Sequence, residues 1–252
     1  NHQSGPVPVD FGSTGLTGLH VSCVAALREH YGLPQHPVKT CEPYQMLGEV
    51  EDDLAQALGS DCIPANDRGT MFGFPKENWR EWKTPWGQVI LVPEGFRTRE
   101  EASGDVYVFP EGDTSVPPSG HMPSTGYFFD AIIRQEPIDE DNLNPVDNCE
   151  EFKLLSEADI THWKQEFERV KGDTRAVVSG IGGTGFGDIA LVPAAFLKHP
   201  KGIRDISEWY MVLLENPDYV HKIFEYQCEI ALKNLETFAA IAGDTVDVMM
   251  IC

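Results

Sequence analysis

Residues 174–188 read Thr-Arg-Ala-Val-Val-Ser-Gly-Ile-Gly-Gly-Thr-Gly-Phe-Gly-Asp, and the fold turns on how this stretch is read. Ala176, Val177, Val178 and Ser179 have the pattern of a short strand buried on both faces. The run breaks into a loop in which Gly180, Gly182 and Gly185 satisfy G-x-G-x-x-G. A dinucleotide-binding unit with that fingerprint occupies about 30 residues, with an acidic residue about 20 positions on at the tip of the next strand. Here the next strand is expected only near Val246, and Asp205 and Glu208 fall in a segment of helical pattern. The spacing therefore excludes a nucleotide cradle. It leaves a loop at the mouth of a β/α barrel, open to close approach by substrate or backbone.

The segments on either side are read in that frame. Residues 6–11 suggest a first strand, and 20–31 a helix with Val21, Val24, Ala25, Leu27 and Tyr31 on one face. A second helix is expected from Pro43 to about Leu58, stopped by Gly59. Residues 60–65 read as a strand ending in the polar tip Asn66-Asp67-Arg68-Gly69. Residues 79–133 carry little helical periodicity; Trp82, Trp86 and residues 89–92 suggest a β-hairpin, with further short strands after it. This is a β-rich insertion of antiparallel character, the kind of long excursion that walls a site.

Residues 139–151 are acidic. They place Asp139, Asp141, Asp147 and Glu150 at calcium-loop positions but lack the turn glycine, so a solvated connector is the expectation. Ser156 and Asp159 can cap a helix over 156–171. Helices are expected over 203–214 and 217–242, and a buried parallel strand over 246–251. The fold expectation is an α/β chain, a (β/α)8 barrel incomplete at its C-terminal end, with an antiparallel hairpin insertion. Residues 1–252 make one domain, and the chain is expected to continue past Cys252, because about four parallel strands can be found where a closed barrel uses eight.

Composition bounds the function. The 252 residues carry a formal net charge of −21, which repels phosphate backbones and anionic membranes. Cysteines 23, 41, 62, 149, 228 and 252 show no C-x-x-C spacing, which suits a reducing cytoplasm. No apolar run is long enough to span a bilayer.

The expected catalytic residue is Asp67, at a strand tip beside Asn66 and Arg68; near Arg68 it stays ionised and can bind a cation or stabilise developing positive charge. Asp10, at the end of the first strand, has a weaker claim. Ser13, Thr14, Asn66, Arg68, His121, Gly180, Gly182 and Gly183 are expected to bound the substrate. No two histidines or cysteines share a metal-binding spacing, so no metal ligand can be assigned.

Residues 6–12 (Pro-Val-Pro-Val-Asp-Phe-Gly), 17–20 (Thr-Gly-Leu-His), 58–62 (Leu-Gly-Ser-Asp-Cys), 84–87 (Thr-Pro-Trp-Gly) and 243–252 (Gly-Asp-Thr-Val-Asp-Val-Met-Met-Ile-Cys) form an ordered series spanning the chain. The series resembles the uroporphyrinogen decarboxylase superfamily, and in particular its corrinoid-linked methyltransferase branch. That resemblance implies the (β/α)8 barrel and places Asp67 near the aspartate that binds pyrrole nitrogens in the decarboxylases. The arginines by which those enzymes hold porphyrin carboxylates have no counterpart in residues 12–20. The methyltransferase branch implies transfer of a methyl group between a small methylated compound and a corrinoid (cobalamin), usually on a separate carrier protein. It also implies zinc, held by a His-x-Cys motif and a later Cys, ligands expected here beyond Cys252. Decarboxylation of a carboxylated substrate, and non-catalytic binding of a corrinoid or partner, are the alternatives.

Overall fold

The computed structural model describes residues 7–139, 142–149, 153–181, 185 and 188–251. In chain order the elements are β1 (Leu19–His20), α1 (Val21–His30), β2 (Val38–Glu42), β3 (Leu47–Gly48), α2 (Asp52–Leu58) and β4 (Cys62–Ala65). Next come β5 (Arg80–Lys83), β6 (Val89–Val92), β7 (Thr98–Glu100), β8 (Val106–Val108), β9 (Gly120–Met122) and β10 (Asp130–Ala131). The last part holds α3 (Glu157–Val170), β11 (Ala176–Gly180), α4 (Ile206–Glu215), α5 (Pro217–Ala242) and β12 (Val248–Met250).

Strands group into three sheets. A mixed sheet has the order β1-β3-β2-β6-β5, an antiparallel sheet β10-β9-β8-β7, and a parallel sheet β12-β11-β4. In the parallel sheet Ala176 lies opposite Cys62 and Val178 opposite Val248. The crossovers are helical: α3 lies between β4 and β11, and α4 and α5 between β11 and β12.

This overturns the (β/α)8 expectation. Among the described residues there is no closed barrel, only five helices, and three strands in the parallel sheet. The physical reason is where the apolar runs are spent. Residues 38–48, expected as loop and helix, pair as β2 and β3 and extend into the mixed sheet through β6. Residues 7–11 form no strand. Val9 touches the entry of β4 only through its carbonyl, which accepts from the Asp61 N–H at 2.7 Å, and its own N–H, which donates to Asp61 Oδ2 at 2.8 Å.

Local chemistry accounts for the helix ends. Ser156 Oγ accepts from the Asp159 N–H while the Asp159 carboxylate accepts from the Ser156 N–H, a full capping box on α3. Pro217 opens α5, where its missing N–H costs nothing, and the Asn216 side chain accepts from Tyr219 N–H. α2 ends at Gly59, whose φ of +71° closes the helix in the left-handed region. That helix starts only at Asp52, not at Pro43, because residues 43–46 turn and Met46 sits at φ +53°.

The interior is divided. One core joins the mixed and antiparallel sheets around Val21, Leu54, Phe72, Phe74, Ile90, Phe96 and Phe129. A second packs α3 and α5 on the parallel sheet through Ile63, Ala65, Trp163, Phe167, Val177 and Phe238. A third gathers Ile203, Trp209, Tyr219 and Ile223 around the α4–α5 corner. Fully burying each such side chain contributes on the order of 1.5–3 kcal/mol.

Candidate functional site

A cleft of about 480 Å³ opens at the seam between the first two cores, within the size range of small-molecule sites. Strand alternation supplies one wall. Val38 and Thr40 of β2 point into the core, so Lys39 and Cys41 face the cleft. Glu49, Glu51 and Asp52 join them from the entry of α2.

Helical periodicity supplies the opposite wall. Trp163, Phe167 and Val170 of α3 are buried, leaving His162, Glu166 and Arg169, at i, i+4 and i+7, to line the cleft. Between the walls run Cys62, Ile63 and Pro64 of β4, then Asn66 and Asp67 at its exit. β4 is an edge strand, a place that tolerates Pro64 without a missing ladder bond. Trp79 and Lys76 complete the lining.

The strand exit is held by α3. His162 Nε2 donates to the Asn66 carbonyl at 2.8 Å, which places a proton on Nε2. Asn66 N–H donates to Glu166 Oε2 at 3.4 Å, and Arg169 donates to the Pro64 carbonyl at 2.6 Å. The turn after Asp67 closes when the Lys76 N–H donates to the Arg68 carbonyl at 2.8 Å. This closure returns the Lys76 ammonium to Asp67 Oδ1 at 3.1 Å.

Four ion pairs border the cleft. They are Asp67–Lys76, Lys39–Glu49 at 3.3 Å, Glu166–Arg169 at 2.8 Å and Asp52–Arg175 at 2.7 Å. The hydrogen bond to Glu166 raises the pKa of Arg169 against the effect of burial, and the charges of Asp52 and Glu49 on the facing wall add to it. Burial alone would lower the pKa of Lys76, but Asp67, by charge and hydrogen bond, with Cys41 and Glu42, raises it instead. Lys76 is thus held as a cation.

The thiols behave differently. Burial pushes Cys41 up to about 11, and its Sγ–H donates to the Leu47 carbonyl at 3.4 Å. Burial, with the charges of Asp10 and Asp61, also raises Cys62. Neither is a thiolate near neutral pH, so neither is an activated nucleophile. Glu42, next along β2, is pushed up to about 7 by burial, against the lowering effects of the Met71 and Tyr44 N–H groups and of Lys76.

The cleft brings together some of the expected residues and not others. Asn66 and Asp67 line it. Arg68 turns away, to Glu77 at 3.3 Å and Asp159 at 3.9 Å. Ser13 and Thr14 follow the lining residues Phe11 and Gly12 but are themselves tied into their own loop, through Asp10 and Thr17. His121 lies on β9 of the antiparallel sheet, its ring 4.8 Å from that of Tyr107 and its Nε2 3.4 Å from Asp105. Gly180 ends β11 opposite Met250. Gly182 and Gly183 lie outside the described residues, as do Asp141 and Glu150 of the acidic stretch.

Sequence reasoning missed Lys39, Cys41, Lys76, Glu166 and Arg169 as lining. For Glu166 and Arg169 a signal existed, since with His162 they mark the polar face of α3. A second hollow of about 490 Å³, bordered by Glu77, Glu94, Arg97 and Glu111, carries no thiol or histidine. Its acids are already engaged with Arg68, Arg97 and Lys198.

Among the described residues no group of three His, Cys, Asp or Glu side chains is arranged to hold a metal ion, so these residues do not fit a zinc site. No described helix is long and apolar enough to cross a membrane. Comparison with known proteins gives no match: no family model, curated protein or solved structure is similar enough to identify a family.

Proposed function

We propose that the chain is a methyltransferase component that binds a small methylated donor in the seam cleft and presents it to a corrinoid on a separate carrier protein, in a reducing cytoplasm. The observation that carries this reading is the cleft itself: about 480 Å³, with the Asp67–Lys76 pair at the exit of β4. That volume lies in the range of small-molecule sites and leaves room for a small methylated donor. Residues 12–20 hold no arginine to meet porphyrin carboxylates, which favours methyl transfer over decarboxylation of a porphyrin. The ordered sequence series from residues 6–12 to 243–252 supports the same class.

In this reading the chain's own residues bind and orient the donor. Asp67 and Lys76 fix its polar end, Trp79 offers an apolar face, and the walls from β2 and α3 exclude water. Holding a reactant in a near-attack geometry removes a large entropic part of a bimolecular barrier.

The test is methyl transfer to free cob(I)alamin by the full chain, with a panel of methylated alcohols, amines and methoxyaromatics. Turnover with at least one donor, reduced about 10²-fold or more by Asp67→Asn through misplacement of the donor, is the expected result. Silence across the panel overturns the assignment.

A further inference from the structure

The helix α4 (Ile206–Glu215) is apolar on two sides. Its inner side is spent in the third core, which Trp209 and Val212 share with Tyr219 and Ile223 of α5. Six of its ten residues are exposed, and four of those six are large and apolar. Leu214 is 86% exposed, Tyr210 57%, Met211 48% and Ile206 38%. Ile206, Tyr210 and Leu214 stand at i, i+4 and i+8, one above another, and Met211, three residues before Leu214, adjoins the same stripe. Apolar residues scattered singly over a surface are ordinary, but four on one face mark a place of contact. None of the four lines the seam cleft, so docking here leaves the donor reading untouched.

The charge around the stripe has one sign. Residues 205–218 hold Asp205, Glu208, Glu215 and Asp218 and no lysine, arginine or histidine. Arg204, just before them, is buried, and Lys222 comes only after the first turn of α5. Asp205 is taken up at the helix start, where its side chain accepts from the Ser207 and Glu208 N–H groups. Glu208, Glu215 and Asp218 form no ion pair among the described residues. The last turn of α4 carries no basic side chain, so Glu215 sits at the negative end of the helix dipole with nothing to offset it.

These features discriminate between occupants. A second copy would bring the same acids, and a net charge of −21 of its own, against this face. An anionic membrane is repelled in the same way. A cationic partner relieves both the acids and the helix end. We infer that the outer face of α4 docks a basic amphipathic helix of another protein. Apolar side chains of that helix lie along the Ile206–Tyr210–Leu214 stripe, and its lysines or arginines reach Glu208, Glu215 and Asp218. A row at i, i+4 and i+8 is a ridge that packs along a second helix, and anchors at such spacings are how amphipathic helices are recognised.

Calorimetry of the full chain with synthetic peptides is the test. The probe is a leucine–lysine peptide of about five helical turns with its leucines on one face. One control has the same residues shuffled so that no apolar face forms, and the other has glutamate for every lysine. The probe should bind at least about tenfold more tightly than either control, since one forfeits the buried stripe and the other the charge-assisted contacts. The double substitution Tyr210→Ser and Leu214→Ser should abolish the preference for the probe over the shuffled peptide. Both side chains face mainly solvent, and the peptide comparison on the unaltered chain needs no variant. Equal binding of probe and shuffled control reduces the contact to net charge and overturns the assignment. So does no binding, or a preference that survives the double substitution. Sedimentation velocity, and flotation with neutral phosphatidylcholine vesicles, cover the other occupants. A dimer or a vesicle complex that the double substitution abolishes would give the face to a second copy or to lipid, and would overturn the assignment.

Discussion

Glu42 shows how a single half-buried side chain ties the cleft together. Its Oε2 accepts from Tyr44 N–H at 2.9 Å and its Oε1 from Met71 N–H at 3.2 Å. It thus fastens β2 to the loop, residues 66–76, that carries Asp67 and Lys76. Burial raises its pKa to about 7, so between the ordinary carboxylate range and about pH 7 the folded chain holds a proton that the unfolded chain has lost. The folded form binds more protons, and the unfolding free energy contributed by this group therefore falls as pH rises through that window. Urea midpoints should drop from pH 5 to pH 8 more in the native chain than in Glu42→Gln, which keeps an acceptor oxygen without the titration. Equal drops in both would remove Glu42 from the account. At this scale Asn66 and Asp67 were legible because a polar tip after an apolar run marks a strand exit. Lys76 was not, since its return depends on a turn closed by one backbone hydrogen bond to Arg68.

Elements with local signals were readable, and those set by distant pairing were not. α3 is the clear case: a 3.6-residue period and a capping box sit within residues 156–170. Replacing Ser156 by Ala removes the cap and should cost about 1 kcal/mol, read from denaturant unfolding; Ser156→Asp should recover most of it. No loss with Ala would mean that packing of Trp163 and Phe167 alone holds the helix end. β2 and β3 were invisible by contrast. They are short, their register shifts between Thr40 and Glu42, and β2 finds its other neighbour in β6, about 50 residues away in sequence. Helical periodicity over 43–58 was real only in its second half, where Asp52 and Asp53 sit favourably in the first turn. The strand 176–180 was legible from apolar content, yet which strands flank it was not.

At the scale of the molecule, parallel strands joined by helices were expected to close into a barrel, and the chain instead builds three sheets, two sharing one core and the parallel one packed on another. Periodicity reports which face of an element is buried, not which sheet it joins. The net charge of −21 is global. Such a surface destabilises the compact state by self-repulsion, which salt screens over about 10 Å at 0.1 M. The melting temperature should therefore rise between low salt and about 0.1 M sodium chloride. A fall would mean that the ion pairs around the cleft outweigh the repulsion.

The seam has a consequence for regulation. Lys39, Cys41 and Glu49 belong to the side of one core, and Pro64, His162 and Arg169 to the side of another. A ligand that touches both walls favours their approach, and thermodynamic reciprocity requires that whatever favours their approach also tightens the ligand. Any change that alters the spacing of the two walls must alter the affinity for a ligand that spans them, wherever in the molecule that change is made.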